Sequence, residues 1–195
     1  MEMTLPNALT LLRVAVIPVF VALFYLESAA GQWLAGGLFV LAAVTDFLDG
    51  YLARSRNQTS DFGRFLDPVA DKLLVGAALL MMVGFGQISG FAIIPAVVIL
   101  CREILVSGLR EFLAGQAVGL PVSALAKWKT AVQMIALSIL IVGDAAHPAV
   151  PAAVPVALIG EAGLWLAAVI TLITGYDYLR SGLRHMGSPC SGAPR

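Results

Sequence analysis

Charged side chains are scarce in this chain of 195 residues: Lys and Arg number 12, Asp and Glu number 12, and together they are 12% of the sequence. A soluble domain has roughly 25% charged residues. Cysteine and histidine are equally scarce, with two of each, and neither Cys101 and Cys190 nor His147 and His185 have a paired spacing. This scarcity argues against a disulfide framework and against a thiolate–histidine metal site.

Long apolar runs fill most of the chain, which is 59% hydrophobic with a mean hydropathy of +0.91. A helix that crosses a bilayer needs about 20 mostly apolar residues. Six such runs, separated by Gly, Pro and short polar segments, lie at about 7–26, 33–54, 64–86, 91–113, 124–143 and 155–178. The sequence therefore predicts an all-α, polytopic membrane protein with six transmembrane helices. Residues 1–184 form a single membrane domain in this prediction, and residues 185–195 form a disordered cytoplasmic tail.

The distribution of positive charge predicts the orientation of these spans. When alternate loops are given to opposite sides, all twelve Lys and Arg residues fall on one side, and the other side receives "ESAAGQ", "GQISG" and "GDAAHPAVPA". Cationic loops stay in the cytoplasm. Both termini are therefore predicted to be cytoplasmic. A cleaved signal peptide is disfavoured, because "MEMTLPN" has no positive charge before the first apolar run.

Five aspartates interrupt this apolar chain in the stretch "TDFLDGYLARSRNQTSDFGRFLDPVADKL", which runs from Thr45 to Leu73. Helical residues three or four apart share a face. Asp46 and Asp49 therefore lie on one face at the end of the second span, and Asp67 and Asp71 on one face at the start of the third. A short polar turn would let the two helices run antiparallel, so that four carboxylates converge at the cytoplasmic surface.

Converging carboxylates repel one another unless water or cations neutralise them. Oxygen ligands of this kind suit hard divalent cations, and four carboxylates suffice for two ions. A structural alternative treats Asp67 before Pro68 as a helix N-cap and pairs Asp71 with Lys72 or Asp46 with Arg54. Four aspartates on two matched faces favour the metal site, and we interpret the off-pattern Asp61 as structural.

The same stretch carries a family resemblance. From Asp46 to Asp71 it has the pattern D-x-x-D-G-x-x-A-R-x8-G-x-x-x-D-x-x-x-D. This pattern resembles the signature of the CDP-alcohol phosphatidyltransferases. The resemblance implies a six-helix membrane protein, usually a homodimer, in which an alcohol attacks the lipid-side phosphorus of a CDP-linked lipid and CMP leaves.

Residue roles follow from the same resemblance. Asp46, Asp49, Asp67 and Asp71 resemble the ligands of two Mg2+ or Mn2+ ions, and Asp71 also resembles the general base. Gly50, Ala53 and Gly63, with Arg54 nearby, resemble the wall of the site for the CDP-lipid.

A polar stripe on the first span is a further candidate part of the CDP-lipid site. Asn7, Thr10 and Arg13 recur about one helical turn apart in "NALTLLRVAVIP" and can face the aspartates. The alternative is a helix cap at Asn7 and an Arg13 side chain that reaches the interface.

The fourth and fifth spans supply candidates for the acceptor. In "CREILVSGLREFL", Glu103, Ser107 and Arg110 share one face and Arg102 projects from another, while "KWKTAVQM" supplies Lys127 and Lys129. Arg and Lys at the mouth of one site favour an acceptor that carries a phosphate. Anchoring by positive charge is the alternative, but it leaves an Arg and a Glu side by side in an apolar helix unexplained.

These segments, with "GRFLDPVADKL", resemble the bacterial branch of the family that uses glycerol 3-phosphate. The implied reaction joins CDP-diacylglycerol and sn-glycerol 3-phosphate to give phosphatidylglycerophosphate and CMP at the bacterial inner membrane, with the site facing the cytoplasm. The resemblance covers residues from about 7 to 134.

Three other functions stay open. The same chemistry can use another acceptor, such as inositol phosphate, serine or phosphatidylglycerol. A membrane prenyltransferase also uses aspartate-bound Mg2+, but such enzymes carry two separate aspartate motifs. A divalent-cation transporter would place polar groups near the middle of the membrane, whereas here they cluster at one face. A nucleic-acid partner is not expected.

Overall fold

The computed structural model consists of six α-helices over the residues that it describes, which are 5–56, 61–115, 124–146, 149–151 and 153–186. Within these helices the side chains of residues 5–9, 46–56, 61–65, 67, 68, 124 and 184–186 are also outside the description. The helices are α1 (Leu5–Phe24), α2 (Ala29–Arg56), α3 (Asp61–Gly84), α4 (Ile93–Gly115), α5 (Ala124–Val142) and α6 (Val156–Met186). Short 3-10 turns at Gly90–Ala92 and Gly143–Ala146 precede α4 and follow α5.

Each predicted span corresponds to one helix. The largest difference is at α6, which continues to Met186, because its polar C-terminal part "LRSGLRHM" lies beyond the apolar run at 155–178. Helix α3 begins at Asp61, so the pair Asp67–Pro68 lies well inside it. The alternative interpretation of Asp67 as a helix N-cap is therefore wrong. The predicted tail from residue 187 onward lies outside the described residues.

Membrane character is supported by the length and composition of several helices. Three described segments, Gly90–Gly115, Leu125–Ala146 and Val156–Leu183, are long and apolar enough to cross a bilayer. Thr10–Phe24 and Ala29–Thr45 form two shorter apolar helices. Large apolar side chains such as Leu80 and Leu158 are exposed on the outside of the bundle. Extensive apolar surface of this kind marks a protein that contacts lipid or a partner.

The core lies at the centre of the bundle and draws on every helix. Its largest fully buried side chains include Phe20, Phe39, Met82, Ile99, Leu137 and Leu164. Helix α1 packs against α2 and α3, and α6 packs against α4 and α5. Small residues let α5 and α6 approach closely, since a Cβ atom on Gly163 would lie 2.9 Å from the Ala136 Cβ.

Two hydrogen bonds at one end of the bundle join α2 to the α5–α6 connection and the α3–α4 connection to α5. Trp33 Nε1 donates to the Ala145 carbonyl oxygen at 2.9 Å, and Gln87 Nε2 donates to the Ile141 carbonyl oxygen at 3.2 Å. The antiparallel order of the helices then places the C-terminal ends of α2, α4 and α6 at the opposite end, together with the N-terminal ends of α1, α3 and α5. All the predicted site residues lie at that opposite end.

Candidate active site

The aspartate motif lies in the C-terminal part of α2 and the N-terminal part of α3. Near its C-terminus α2 carries Asp46, Asp49, Gly50, Ala53 and Arg54, and near its N-terminus α3 carries Gly63, Asp67 and Asp71. Both segments are continuous helix, so the predicted helical spacing of the aspartates is confirmed. Except for Asp71, the side chains of these residues lie outside the described residues, and their convergence stays a prediction.

Asp71 is the one aspartate of the motif whose side chain is described. It is partly exposed, with 36% of its side-chain surface accessible, and its Oδ2 lies 3.5 Å from Lys72 Nζ. The predicted alternative pairing of Asp71 with Lys72 therefore exists. An exposed contact of this length is a weak one. It leaves the carboxylate accessible to a ligand.

Helix α1 contributes buried polar side chains to the same end of the bundle. Thr10 and Arg13 are both buried, and α1 packs against the two helices that carry the aspartates. This placement agrees with a stripe that faces the interior. The alternative interpretation required the Arg13 side chain to reach the interface, but this side chain is buried. The side chain of Asn7 lies outside the described residues.

Arg102, Glu103 and Lys129 form a buried charge cluster between α4 and α5. The Glu103 Oε1 atom contacts Lys129 Nζ in a very short ion pair and lies 3.3 Å from Arg102 Nη1. All three side chains are largely buried, with 4% of the Lys129 and 11% of the Arg102 and Glu103 side-chain surfaces exposed. Two cations and one carboxylate leave this cluster with an excess of positive charge.

Helix α6 fixes the position of the Arg102 side chain. Thr174 Oγ1 accepts a hydrogen bond from Arg102 Nη2 at 3.0 Å, and the guanidinium carbon lies 5.7 Å from the centre of the Tyr178 ring. A Cβ atom on Gly175 would lie 3.0 Å from Arg102 Cγ, so the glycine leaves room for this side chain. Sequence analysis missed these three residues, because Thr, Gly and Tyr in an apolar helix give no sign of the partner they contact.

The structure separates the four predicted acceptor cations into two pairs. Arg102 and Lys129 lie in the buried charge cluster, whereas Arg110 and Lys127 are exposed. Lys127 and Lys129 are two residues apart on a helix and point to different sides of α5. Arg110 and Lys127 nonetheless lie at the same end of the bundle as the cluster.

Asp71 and the buried charge cluster are within electrostatic reach of each other. Asp71 on α3 and Arg102 on α4 both act electrostatically on Lys129 of α5. That the aspartate motif and the predicted acceptor cations form one site stays a prediction, because the side chains of Asp46, Asp49 and Asp67 lie outside the described residues.

Metal binding at this site depends on carboxylates that are mostly undescribed. Among the described side chains, no group of three or more His, Cys, Asp or Glu is arranged to hold a metal ion. Three of the four predicted ligands lie outside that set. Asp71 itself fits the role, because its oxygen atoms are accessible and only weakly engaged by Lys72.

Known proteins resemble this chain over most of its length. The CDP-alcohol phosphatidyltransferase family model matches residues 3–173. A protein of Rickettsia bellii named CDP-diacylglycerol--glycerol-3-phosphate 3-phosphatidyltransferase is 49% identical over 91% of this chain and 94% of its own length. A protein of the same name from Cereibacter sphaeroides is 41% identical over 95% of this chain and 98% of its own.

A solved structure shows the same fold. The crystal structure of phosphatidylinositol phosphate synthase from Mycobacterium tuberculosis, with CDP-DAG bound, matches with a TM-score of 0.63. It is 20% identical in sequence, and the match covers 97% of this chain and 90% of that one. The family model covers most of the chain, and the aspartate pattern that resembles the family's signature lies on α2 and α3. The chain therefore belongs to the CDP-alcohol phosphatidyltransferase family.

Proposed function

We propose that this protein transfers the phosphatidyl group of CDP-diacylglycerol to sn-glycerol 3-phosphate, giving phosphatidylglycerophosphate and CMP. The hydroxyl oxygen of the acceptor forms a new bond to the lipid-side phosphorus. The bond from that phosphorus to the CMP oxygen breaks, and CMP leaves with the electron pair. The near full-length similarity to relatives named for this reaction supports both the donor and the acceptor.

The buried charge cluster is the observation that carries the choice of a phosphorylated acceptor. Arg102 and Lys129 are cations removed from water, and one carboxylate, that of Glu103, is shared between them. Buried charge is costly unless it is compensated. A phosphate dianion would supply the missing negative charge, and the forked guanidinium and the three-donor ammonium suit its oxygen atoms. Serine would supply less negative charge, because its single carboxylate is accompanied by its own ammonium group.

Arg110 and Lys127 complete the proposed acceptor site in a different way. Both side chains are exposed at the same end of the bundle as the cluster. Exposed cations attract anions through a field that salt screens. We therefore assign them to the mouth of the pocket, where they would raise the local concentration of the acceptor phosphate, and Arg102 and Lys129 to its inner wall.

Asp71 is the proposed general base. Its accessible carboxylate lies within electrostatic reach of Lys129, so an acceptor held there by its phosphate can present a hydroxyl group to Asp71. Positioned proton transfer of this kind contributes about 10²–10⁴-fold to a rate. Asp71 takes the proton of the hydroxyl as the oxygen–phosphorus bond forms.

Two Mg2+ or Mn2+ ions are proposed cofactors, with Asp46, Asp49, Asp67 and Asp71 as ligands. When bound, such ions neutralise the diphosphate and stabilise the leaving group. The helical spacing of the four aspartates and the accessible Asp71 carboxylate support the assignment. Gly50, Ala53, Arg54, Gly63, Asn7 and Thr10 are the proposed contacts for the CDP-lipid.

Topology and assembly belong to the same proposal. Six transmembrane helices in a bacterial inner membrane, with both termini and the active site in the cytoplasm, agree with the six helices and with the absence of Lys and Arg from one set of loops. A homodimer is proposed from the family resemblance alone.

Release of CMP by the purified protein tests this function. The protein in detergent is given CDP-diacylglycerol with Mg2+, and glycerol 3-phosphate, inositol 1-phosphate and serine are offered separately. We expect release with glycerol 3-phosphate that stops when the metal is chelated. Release with only another acceptor would overturn the assignment of the fourth and fifth helices. No release with any of them would favour the transporter.

A further inference from the structure

Arg13 of α1 is a buried cation for which the proposed reaction has no role. The residue is 4% exposed, and α1 packs mainly against α2 and α3. A buried guanidinium is costly unless negative charge compensates it. Helix α1 contains no Asp or Glu, so the expected source of that charge is a neighbouring helix.

The acids of the two neighbouring helices all belong to the stretch that carries the aspartate motif. Helix α2 contains Asp46 and Asp49 and no other acid, and α3 contains Asp61, Asp67 and Asp71. Their positions along the bundle, relative to the buried guanidinium, therefore decide which of them can compensate its charge.

Helix α1 runs antiparallel to α2, and two contacts fix the register of this pair. The Phe20 and Phe39 ring centres lie 6.0 Å apart, and a Cβ atom on Gly31 would lie 2.9 Å from the Leu23 carbonyl oxygen. In an antiparallel pair, each step back along one helix is matched by a step forward along the other. When these two contacts are extended along the helices, the backbone of the buried arginine is level with residues 41–46 of α2.

Helix α1 runs parallel to α3, because both helices begin at the same end of the bundle. The centre of the Phe85 ring, just after α3, lies 5.7 Å from that of Phe24 and 5.2 Å from that of Tyr25. Parallel neighbours keep a constant offset in residue number. The backbone of Arg13 is therefore level with residues 73–74 of α3.

The direction of the side chain brings its charge to the level of the aspartates. A helical side chain leans toward the N-terminus of its own helix, and an arginine can extend about 6 Å, or about four residues of helical rise. The guanidinium of Arg13 is therefore level with some part of residues 41–50 of α2 and 69–74 of α3. The acids within these two ranges are Asp46, Asp49 and Asp71.

We propose that Arg13 is a positioning residue for the metal site, and that its guanidinium is the internal counter-charge of Asp46, Asp49 and Asp71. This inference rests on the proposed function, because it takes these aspartates as metal ligands. Five N–H donors in a planar fork can bond carboxylates from two helices at once. Arg13 holds the carboxylates together before metal ions bind, and its positive charge weakens metal binding by repulsion.

Titration of the detergent-solubilised protein with Mn2+, in the absence of substrates, tests this role. Free Mn2+ is followed by its electron paramagnetic resonance signal. We expect Arg13→Met to bind Mn2+ about tenfold more tightly than the wild type, or about 1.4 kcal/mol, because a like charge has been removed. Arg13→Lys keeps the charge and should keep the wild-type affinity. Weaker or unchanged binding by Arg13→Met, or no binding by the wild type, would overturn the inference.

Thermal unfolding in the presence of a chelator tests the same contact without metal. Arg13→Met should lower the melting temperature, because the carboxylates then repel one another. Asp49→Asn in the Arg13→Met background should raise it again, since it removes one of the repelling charges. Asp177→Asn changes an exposed aspartate on α6; it is the control and should leave the melting temperature of Arg13→Met unchanged.

Two further outcomes are also decisive. If Arg13→Met alone does not fold, recovery of folded protein by Asp49→Asn would support the inference, and no recovery would overturn it. A raised KM for CDP-diacylglycerol with unchanged Mn2+ affinity would overturn it too, and would place Arg13 against the lipid diphosphate. Neither the titration nor the unfolding uses turnover, so failure of the proposed function would appear separately, as no CMP release by the wild type.

Discussion

Glu103 of α4 and Lys129 of α5 form a buried ion pair, and the same carboxylate oxygen lies 3.3 Å from Arg102 Nη1. One carboxylate thus stabilises two cations on two helices. Its removal would leave like charges close together in a medium that screens them poorly. The pair therefore stabilises the packing of α4 on α5 and also influences which ligands the site can bind.

Glu103→Gln should destabilise the protein, because it leaves Lys129 and Arg102 buried without their counter-charge. Removing one partner of a buried pair costs about 3–5 kcal/mol. Glycerol 3-phosphate should raise the melting temperature of this variant more than that of the wild type, since the phosphate replaces the lost charge. Thermal unfolding in detergent measures both effects.

Glu111→Gln is the matched control for this experiment, because Glu111 is an exposed acid on the same helix. It should leave the melting temperature and the ligand effect unchanged. An equal ligand effect in Glu103→Gln and the wild type would contradict the placement of the acceptor phosphate at the buried charge cluster.

Gly175→Ala should weaken acceptor binding by displacing Arg102. The new methyl group would lie 3.0 Å from Arg102 Cγ and 3.4 Å from its Nε. A displacement that costs about 1.4 kcal/mol of phosphate binding raises KM tenfold. We expect the KM for glycerol 3-phosphate to rise by about this factor, with the KM for CDP-diacylglycerol unchanged, as measured by CMP release.

Gly182→Ala provides a closely matched comparison on α6. Its added methyl group would press on Leu109, at 2.9 Å from Cδ2, and not on a cation. General disturbance of α4–α6 packing would affect both variants alike. If Gly182→Ala raised the KM for glycerol 3-phosphate as much as Gly175→Ala, the specific role of Arg102 positioning would be wrong.

The difference between these glycines also shows which structural features could be predicted from the sequence and which could not. Hydropathy and helical spacing predicted six helices and the faces of Asp46, Asp49, Asp67 and Asp71, because both properties are periodic along the chain. The contact between Arg102 and Thr174 depends on how α4 packs on α6, and the two residues are 72 positions apart in the sequence. Periodicity within one helix carries no information about that pairing. The C-terminal end of α6 was also not predicted, because the helix extends beyond its apolar run.

Lys129 and Lys127 should differ sharply in their effect on the acceptor. Lys129→Met removes a buried cation, and a hydrogen bond to a charged group is worth about 1.5–3 kcal/mol. The KM for glycerol 3-phosphate should therefore rise by more than tenfold at all salt concentrations. Lys127→Met removes an exposed cation, so its smaller effect should disappear at about 1 M salt, where the Debye length is about 3 Å.

Steady-state kinetics across a salt series distinguish the two variants. A salt-dependent defect in Lys129→Met would place this residue at the mouth of the pocket. Effects of equal size in both variants would contradict the division of the predicted cations into an inner wall and a mouth.

Asp71→Asn should abolish turnover while leaving the fold intact. The amide has nearly the shape of the carboxylate but neither takes up a proton nor carries the charge that a divalent cation requires. Because Asp71 is partly exposed and contacts Lys72 at 3.5 Å, its loss should change the melting temperature little. We expect the rate of CMP release to fall by at least 10², the lower end of about 10²–10⁴ for a general base.

Asp177→Asn changes an exposed aspartate on α6; it is the control and should be fully active. Normal CMP release by Asp71→Asn would remove Asp71 from the base role, and inactivity that coincides with a large fall in melting temperature would assign it a structural role.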